Sequence, residues 1–207
     1  MKITRKLVFL PLLVFLFPVV SMGETVDRTE LVTRDNLYYK KFTDVPFSGT
    51  VTGKEQGRLL EGKKIGTWLS FYESGQLHTR SIYWEPNVLD GEFSKYHENG
   101  CLQIRMGFVD GEEHGLFSLF FEKNCDVQIV GHYDKGKRIG EWVQLSESGS
   151  ILIEGSFNEK GQRTGDWFVK NMKGKVEGRV SYKDGTVISE EGREIQLNIL
   201  KLSLPEL

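Results

Sequence analysis

The sequence predicts an all-β protein, an elongated antiparallel β-meander of about five stacked hairpin repeats in a single twisted sheet. Three observations predict it. A Gly-x-aromatic step recurs at Gly66-Thr67-Trp68, Gly91-Glu92-Phe93, Gly115-Leu116-Phe117, Gly140-Glu141-Trp142 and Gly165-Asp166-Trp167, at intervals of 25, 24, 25 and 25 residues. A second column, Tyr83, Phe108, Tyr133, Phe157 and Tyr182, keeps intervals of 25, 25, 24 and 25. A third places Gly75, Gly100, Gly149 and Gly174 at one point of four copies, with Asn124 or Cys125 at that point of the middle copy. Columns that share a period mean one supersecondary unit copied in series.

Residues 1–23 are expected to be a secretory signal peptide. Lys2, Arg5 and Lys6 precede an uncharged apolar stretch from Leu7 to Val20, and the small residues Ser21 and Gly23 follow. The stretch is shorter than the ~20 residues a spanning helix usually needs, and Pro11 and Pro18 interrupt it. Cleavage after Gly23 or after Ser21 fits, with retention as an anchor the alternative. Removal takes away three cations and no acid, so the net charge falls from −2 to −5. Such a chain has no global attraction to nucleic acid. Its expected place is the periplasm or the outside of the cell, where disulfides persist.

Residues 24–60 are read as an amino-terminal cap. Leu37-Tyr38-Tyr39 and the segment Val45 to Val51 are apolar and enter a predicted edge strand, where Pro46 is tolerated. Residues 61–185 are the repeat domain. The second strand of each copy alternates, as in Leu77, Thr79, Ser81 and Tyr83 against His78, Arg80 and Ile82. The first strand is less regular. Trp68 and Phe71 lie three apart, which calls for a bulge or for burial of both faces. Glu73-Ser74-Gly75, Glu98-Asn99-Gly100, Glu122-Lys123-Asn124 and Glu147-Ser148-Gly149 read as hairpin turns, which need a residue at positive φ.

The opposite connections are expected through Gly62 to Gly66, Gly111 to Gly115, Gly136 to Gly140 and Gly161 to Gly165. These are too short for parallel crossovers. About ten strands at ~4.8 Å spacing give a ribbon roughly 50 Å long. A single layer buries little, so its stability is expected from cross-strand pairs at ~0.2–1 kcal/mol each. Residues 186–207 are the carboxy-terminal cap. Ile195, Leu197, Ile199, Leu200, Leu202 and Leu204 suit a final strand pair or a short helix, with strand favoured. Both caps are needed because exposed sheet edges recruit other chains.

The stretch Gly62-Lys63-Lys64-Ile65-Gly66-Thr67-Trp68-Leu69-Ser70-Phe71-Tyr72-Glu73-Ser74-Gly75-Gln76-Leu77 resembles a MORN-type repeat of the variant common in bacteria, and Gly136 to Ile151 matches it again. The resemblance covers about residues 58 to 185. The entry segment Leu37 to Val51 is similar to the start of bacterial proteins often labelled YwqK-type antitoxins. The resemblance implies a sheet of stacked hairpins used for scaffolding or recognition, with some members proposed to touch membrane lipids. It implies no reaction.

The residues themselves give no catalytic, cofactor-binding or metal constellation. Gly136-Lys137-Arg138-Ile139-Gly140 lacks the strand and helix flanks of a phosphate loop. His78, His97, His114 and His132 have no metal-ligand spacing. No nucleophile elbow is present. The adjacent pairs Glu112-Glu113 and Glu190-Glu191 point oppositely in extended chain.

Cys101 and Cys125 are candidates for a disulfide. Equivalent points of neighbouring hairpins lie ~9.6 Å apart, beyond the usual Cα separation of a bridge. The extra residue in the third copy's turn could close the gap, and both outcomes stay open. Glu73, Glu98, Glu122 and Glu147 share one long edge of the predicted sheet, with Lys63, Lys64, Lys137, Arg138 and Arg163 on the other. Glu112 and Glu113 break that series. A charge split of this kind would suit a weak contact with an anionic lipid or polymer.

The expected function is that of an exported, noncatalytic repeat protein. It would bind or scaffold at the cell envelope, with an unknown protein or envelope component as partner. A toxin-neutralising, immunity-like protein is the alternative.

Overall fold

A computed structural model describes residues 23–192. Residues 1–22 of the expected signal segment, and the carboxy-terminal run from Ile195 to Leu204, lie outside the described residues. The amino-terminal elements are β1 (Thr25–Asp27), a 3-10 turn (Arg28–Glu30), β2 (Leu31–Arg34), β3 (Leu37–Lys40), β4 (Gly49–Thr52) and β5 (Glu55–Leu60). The five repeats follow as β6 (Lys63–Phe71) and β7 (Leu77–Glu85), a short β8 (Val88–Leu89), β9 (Gly91–Tyr96) and β10 (Leu102–Val109), β11 (Glu112–Phe120) and β12 (Val127–Asp134), β13 (Lys137–Leu145) and β14 (Ile151–Phe157), and β15 (Arg163–Lys170) and β16 (Val176–Lys183). The last described strand is β17 (Thr186–Gly192).

Fifteen of these form one sheet in the order β1-β4-β5-β6-β7-β9-β10 and on sequentially to β17, with β8 paired to β7 and β2 paired to β3 in a separate hairpin. The ten repeat strands are those the sequence predicts. The other five are β1, β4, β5 and β17 of the caps and the short β8, which takes the place that the start of β11 has in the next copy. One pair departs from the predicted antiparallel plan. β1 runs parallel to β4, Thr25 beside Thr50. The 3-10 turn and the β2–β3 hairpin lie between them, a connection long enough to reverse the chain and return it. The edge is therefore β1 rather than the Val45 to Val51 segment. A capping box at Asp27 and Glu30 fixes the departure from β1.

The connections opposite the Glu-rich turns are shorter than predicted. Glu61-Gly62, Asp110-Gly111, Lys135-Gly136 and Asp184-Gly185 each hold positive φ at both residues, the type I′ pattern whose twist matches that of the flanking strands. Lys63 to Ile65 and Lys137 to Ile139 are consequently strand residues. The next glycine of each stretch is a bulge. Gly66, Gly115, Gly140 and Gly165 sit at φ 67, 80, 62 and 63°, and the register shifts opposite them at Gln56/Arg58, Met106/Phe108, Val130/His132 and Glu154/Ser156. The irregular first strand is thus a bulged strand.

Two columns read from the sequence are cross-strand partners in every copy: Gly66 with Tyr83, Gly91 with Phe108, Gly115 with Tyr133, Gly140 with Phe157 and Gly165 with Tyr182. Burial exceeds what a single layer was expected to give. Ile104, Met106, Phe117, Trp142, Trp167 and Val180 belong to one buried cluster, and Val26, Leu31, Phe47, Val51, Leu59 and Trp68 to a second under the amino-terminal cap.

Candidate interaction surface

The buried face is built by seating indoles on glycines. Gly57, Gly131 and Gly155 face the rings of Trp68, Trp142 and Trp167. A Cβ at Gly57 would stand 2.5 Å from the Trp68 ring, and one at Gly131 or Gly155 would overlap its indole. Neighbouring aromatics cover the rings laterally. Phe117 stacks on Trp142 at 5.6 Å, and Phe157 meets Trp167 edge-on at 5.2 Å. Phe93 meets Phe108 in the same way at 6.3 Å.

Lys64 lies 4.6 Å from the Trp68 ring centre, Arg138 5.3 Å from that of Trp142 and Arg163 5.0 Å from that of Trp167. Each cation sits four residues before its tryptophan. The copies with phenylalanine have Leu89 and Glu113 at that place. This agrees with the stronger attraction of a cation to indole than to phenyl. The spacing was visible in the sequence, but its meaning was not.

These contacts give the cations of the expected charge split a packing role as well. Three of the five cations assigned to one edge cover tryptophan rings. On the other edge Glu73 is paired with Lys54, and Glu147 with Lys123 at 3.2 Å.

The opposite face is laid out by the same register. Leu69, Arg80, Ser94, Arg105, Ser118, Val130, Val143, Glu154, Phe168 and Arg179 are successive cross-strand partners, one row across ten strands. The residue before each core aromatic also points to this face: Thr67, Glu92, Leu116, Glu141 and Asp166. The buried column keeps aromatics, whereas this face changes chemistry from copy to copy. The second copy pairs Glu92 with Arg105, and the fifth pairs Asp166 with Arg179 at 2.8 Å. The third places Leu116 and Val130 in these positions, and the fourth Glu141 and Glu154. A shallow cavity of about 260 Å³ opens here, lined by Glu141, Glu154, Ser156, Asp166 and Phe168 among others. Lys170 holds Glu154 at 2.6 Å.

Two carboxylates on this face are held below their ordinary range. Burial pushes Glu92 up, but hydrogen bonds from Arg105 at 2.7 Å and Ser94 at 3.0 Å, with the charge of Arg105, outweigh it. Asp166 is lowered by the Ser181 hydroxyl at 2.6 Å and by Arg179. A depressed folded-state value means that the unfolded chain binds more protons as pH falls. The stabilisation is therefore complete above the unfolded carboxylate range and is lost as pH drops through the folded value. The melting temperature should decline on acidification below about pH 4.3, the ordinary Glu value. Glu92→Gln should make that decline shallower while costing under ~1 kcal/mol at neutral pH, because the pair is largely water-facing. Thermal melts of both proteins between acid and neutral pH check this, and parallel curves would contradict it.

The turn edge carries the remaining predicted residues. Gly75, Gly100, Gly149 and Gly174 hold φ of 85, 89, 79 and 76° in their turns, and in the middle copy Cys125 rather than Asn124 takes that conformation, at φ 61°. Cys101 and Cys125 are joined in a disulfide with Cα atoms 5.2 Å apart. The third turn is one residue longer than the second, and Asn99 Nδ2 donates to the carbonyl of Glu122 at 2.6 Å. The same linkage recurs from Asn124 to Glu147 at 3.0 Å and from Ser150 to Met172 at 3.0 Å.

His97, His114 and His132 lie in successive strands or turns, but the described residues contain no group of three or more His, Cys, Asp or Glu that could hold a metal ion.

Residues 64–85, the β6–β7 hairpin, match the family model described as a MORN repeat variant. The chain carries a MORN-type repeat. Its other copies share the Gly-x-aromatic step and the aromatic cross-strand partner of its glycine. No curated protein matches the chain. A solved structure of an S. aureus TarM point mutant, in complex with Fondaparinux, alpha-GlcNAc-glycerol and UDP, is similar at 11% identity and a TM-score of 0.32 over 47% of this chain. The match covers 19% of that chain, so it carries no argument about function.

Proposed function

We propose that this MORN-type repeat protein is exported and noncatalytic, and that it binds or scaffolds another protein or an envelope component through its sheet. The observation that supports this is the division of labour between the two faces. One face keeps a core aromatic in every copy, seated on glycine wherever it is tryptophan, while the other changes from apolar to acidic to ion-paired between copies. Uniform packing sets the spacing of a repeat surface, and varied side chains on that surface can discriminate a partner. The basic run at Lys2, Arg5 and Lys6 and the apolar stretch after it favour export.

The test is a photo-crosslinking amino acid placed at Arg105 or Glu141 of the full chain, followed by capture from the envelope fraction. A discrete adduct at either position, absent from a variant crosslinked through a buried position such as Ile104, is the expected result. Absence of any adduct from either exposed position would overturn the reading. A captured toxic effector whose activity the chain stops would replace scaffolding with neutralisation.

A further inference from the structure

The residue after each member of the second column stands on the face opposite the buried one. In the first two copies that residue is apolar and exposed, Trp84 at 81% and Val109 at 46%, and Leu60, which follows the buried Leu59 on β5 of the amino-terminal cap, is exposed to 46%. In the later hairpins the same place holds Asp134, Asn158 and Lys183. The three apolar side chains lie on β5, β7 and β10, each two strands from the next in the sheet order, a separation of ~9.6 Å measured across the strands. Trp84 precedes the turn at Pro86-Asn87, where Asn87 has φ 65°. That turn takes the place of Asp110-Gly111 in the next copy, and β8 that of the start of β11.

Carboxylates border the row. Glu61, Asp110 and Glu112 are exposed beside it, and among the described residues none of the three is in an ion pair. Lys63, across the first turn from Leu60, is the counter-charge within the row.

We propose that Leu60, Trp84 and Val109 form a docking strip for a basic amphipathic helix of a partner protein. An α-helix advances ~10.5 Å per heptad, so apolar residues at i, i+7 and i+14 match the row. Lys or Arg on its flanks would meet the unpaired carboxylates, and the exposed indole is the side chain suited to anchor it. The strip rests on the binding reading above and adds the partner's chemistry to it.

The test is selection of random 16-residue peptides displayed against the full chain. Enriched peptides should carry at least two Lys or Arg and apolar residues seven apart. Their affinity should fall at least tenfold in Trp84→Ala, and likewise in the Glu61→Lys, Asp110→Lys double variant. Lysine is accommodated at these turn positions, since Lys135 holds the equivalent place at φ 48°. Unchanged melting temperatures confirm that both variants fold.

The proposal is overturned by no enrichment, by enriched peptides without cations, or by binding that neither variant weakens. It is also overturned by a concentration-dependent dimer that Trp84→Ala dissolves, which would make a second copy the occupant. Capture through Arg105 or Glu141 that persists undiminished in Trp84→Ala removes the strip and leaves the scaffolding reading standing.

Discussion

Trp167→Ala is expected to cost about 3–5 kcal/mol, the range for deleting a buried large aromatic. Trp167 is fully buried, 0% exposed. Its indole N–H donates to the carbonyl of Ser156 at 3.2 Å, and Phe157 and Tyr182 meet its edges. Trp142 offers a less complete comparison, because its indole N–H has no partner in the structure. Denaturant unfolding followed by circular dichroism measures the loss.

Because each hairpin packs chiefly on its neighbours, hydrogen exchange should show the loss concentrated in β14 to β17, with β4 to β7 protected as before. The reciprocal change sharpens the test. Gly155→Ala places a methyl group against the indole and should cost about 1–3 kcal/mol. In the Trp167→Ala background it should cost far less, since the two changes share one space. Gly155→Ala that is neutral in the wild-type protein would mean that the ring is not seated on the glycine.

That seating explains which parts of the fold were readable from sequence. Tyr83, Phe108 and their equivalents, the Gly-x-aromatic steps and the turn glycines carry a period of their own, and a period survives without knowledge of three-dimensional contacts. Their pairing, Gly66 with Tyr83 and onward, is supplied by the strand register. What failed were features that occur once and features whose period does not reveal their type. Thr25–Asp27 is too short to show alternation, so the parallel β1–β4 pair left no signal. The Gly62 to Gly66 stretch was assigned wholly to a connection because two glycines look alike in sequence. One closes a type I′ turn and the other makes a bulge, and only the strand register separates them. Gly131 and Gly155 were visible only as gaps in an alternating pattern, although they are the floor on which Trp142 and Trp167 rest.

The interaction face was less legible than the fold, for a related reason. Periodicity finds what stays constant, and the row from Leu69 to Arg179 is defined by what changes. Subtracting the constant columns exposes it: once Trp68, Phe93, Phe117, Trp142 and Trp167 are assigned to one face, strand alternation places their neighbours on the other. The stacked cations could have been found in the same way, from the coincidence of Lys64, Arg138 and Arg163 with tryptophan but not with phenylalanine. The charge-edge reading noticed those cations but not the indoles they cover.

Removing the Cys101–Cys125 bridge is expected to lower stability by about 3 kcal/mol, the loop-closure value for a separation of this size. The residues are 24 apart in sequence, so the bridge fastens the second hairpin turn to the third and restricts the unfolded chain over one whole repeat. The choice of replacement separates this contribution from a second one. Cys125 has φ 61°, a conformation that costs a side chain bearing Cβ roughly 1–2 kcal/mol relative to glycine. The four other copies use glycine at this point. Cys101→Ser with Cys125→Ser should therefore lose the full amount, while Cys101→Ser with Cys125→Gly should recover about 1 kcal/mol of it. Denaturation midpoints of the three proteins, with alkylation of the untreated native chain, decide the matter. Equal stability of the two variants would mean that the turn relaxes once the bridge is gone, and ready alkylation of both cysteines in native protein would mean that the bridge does not form.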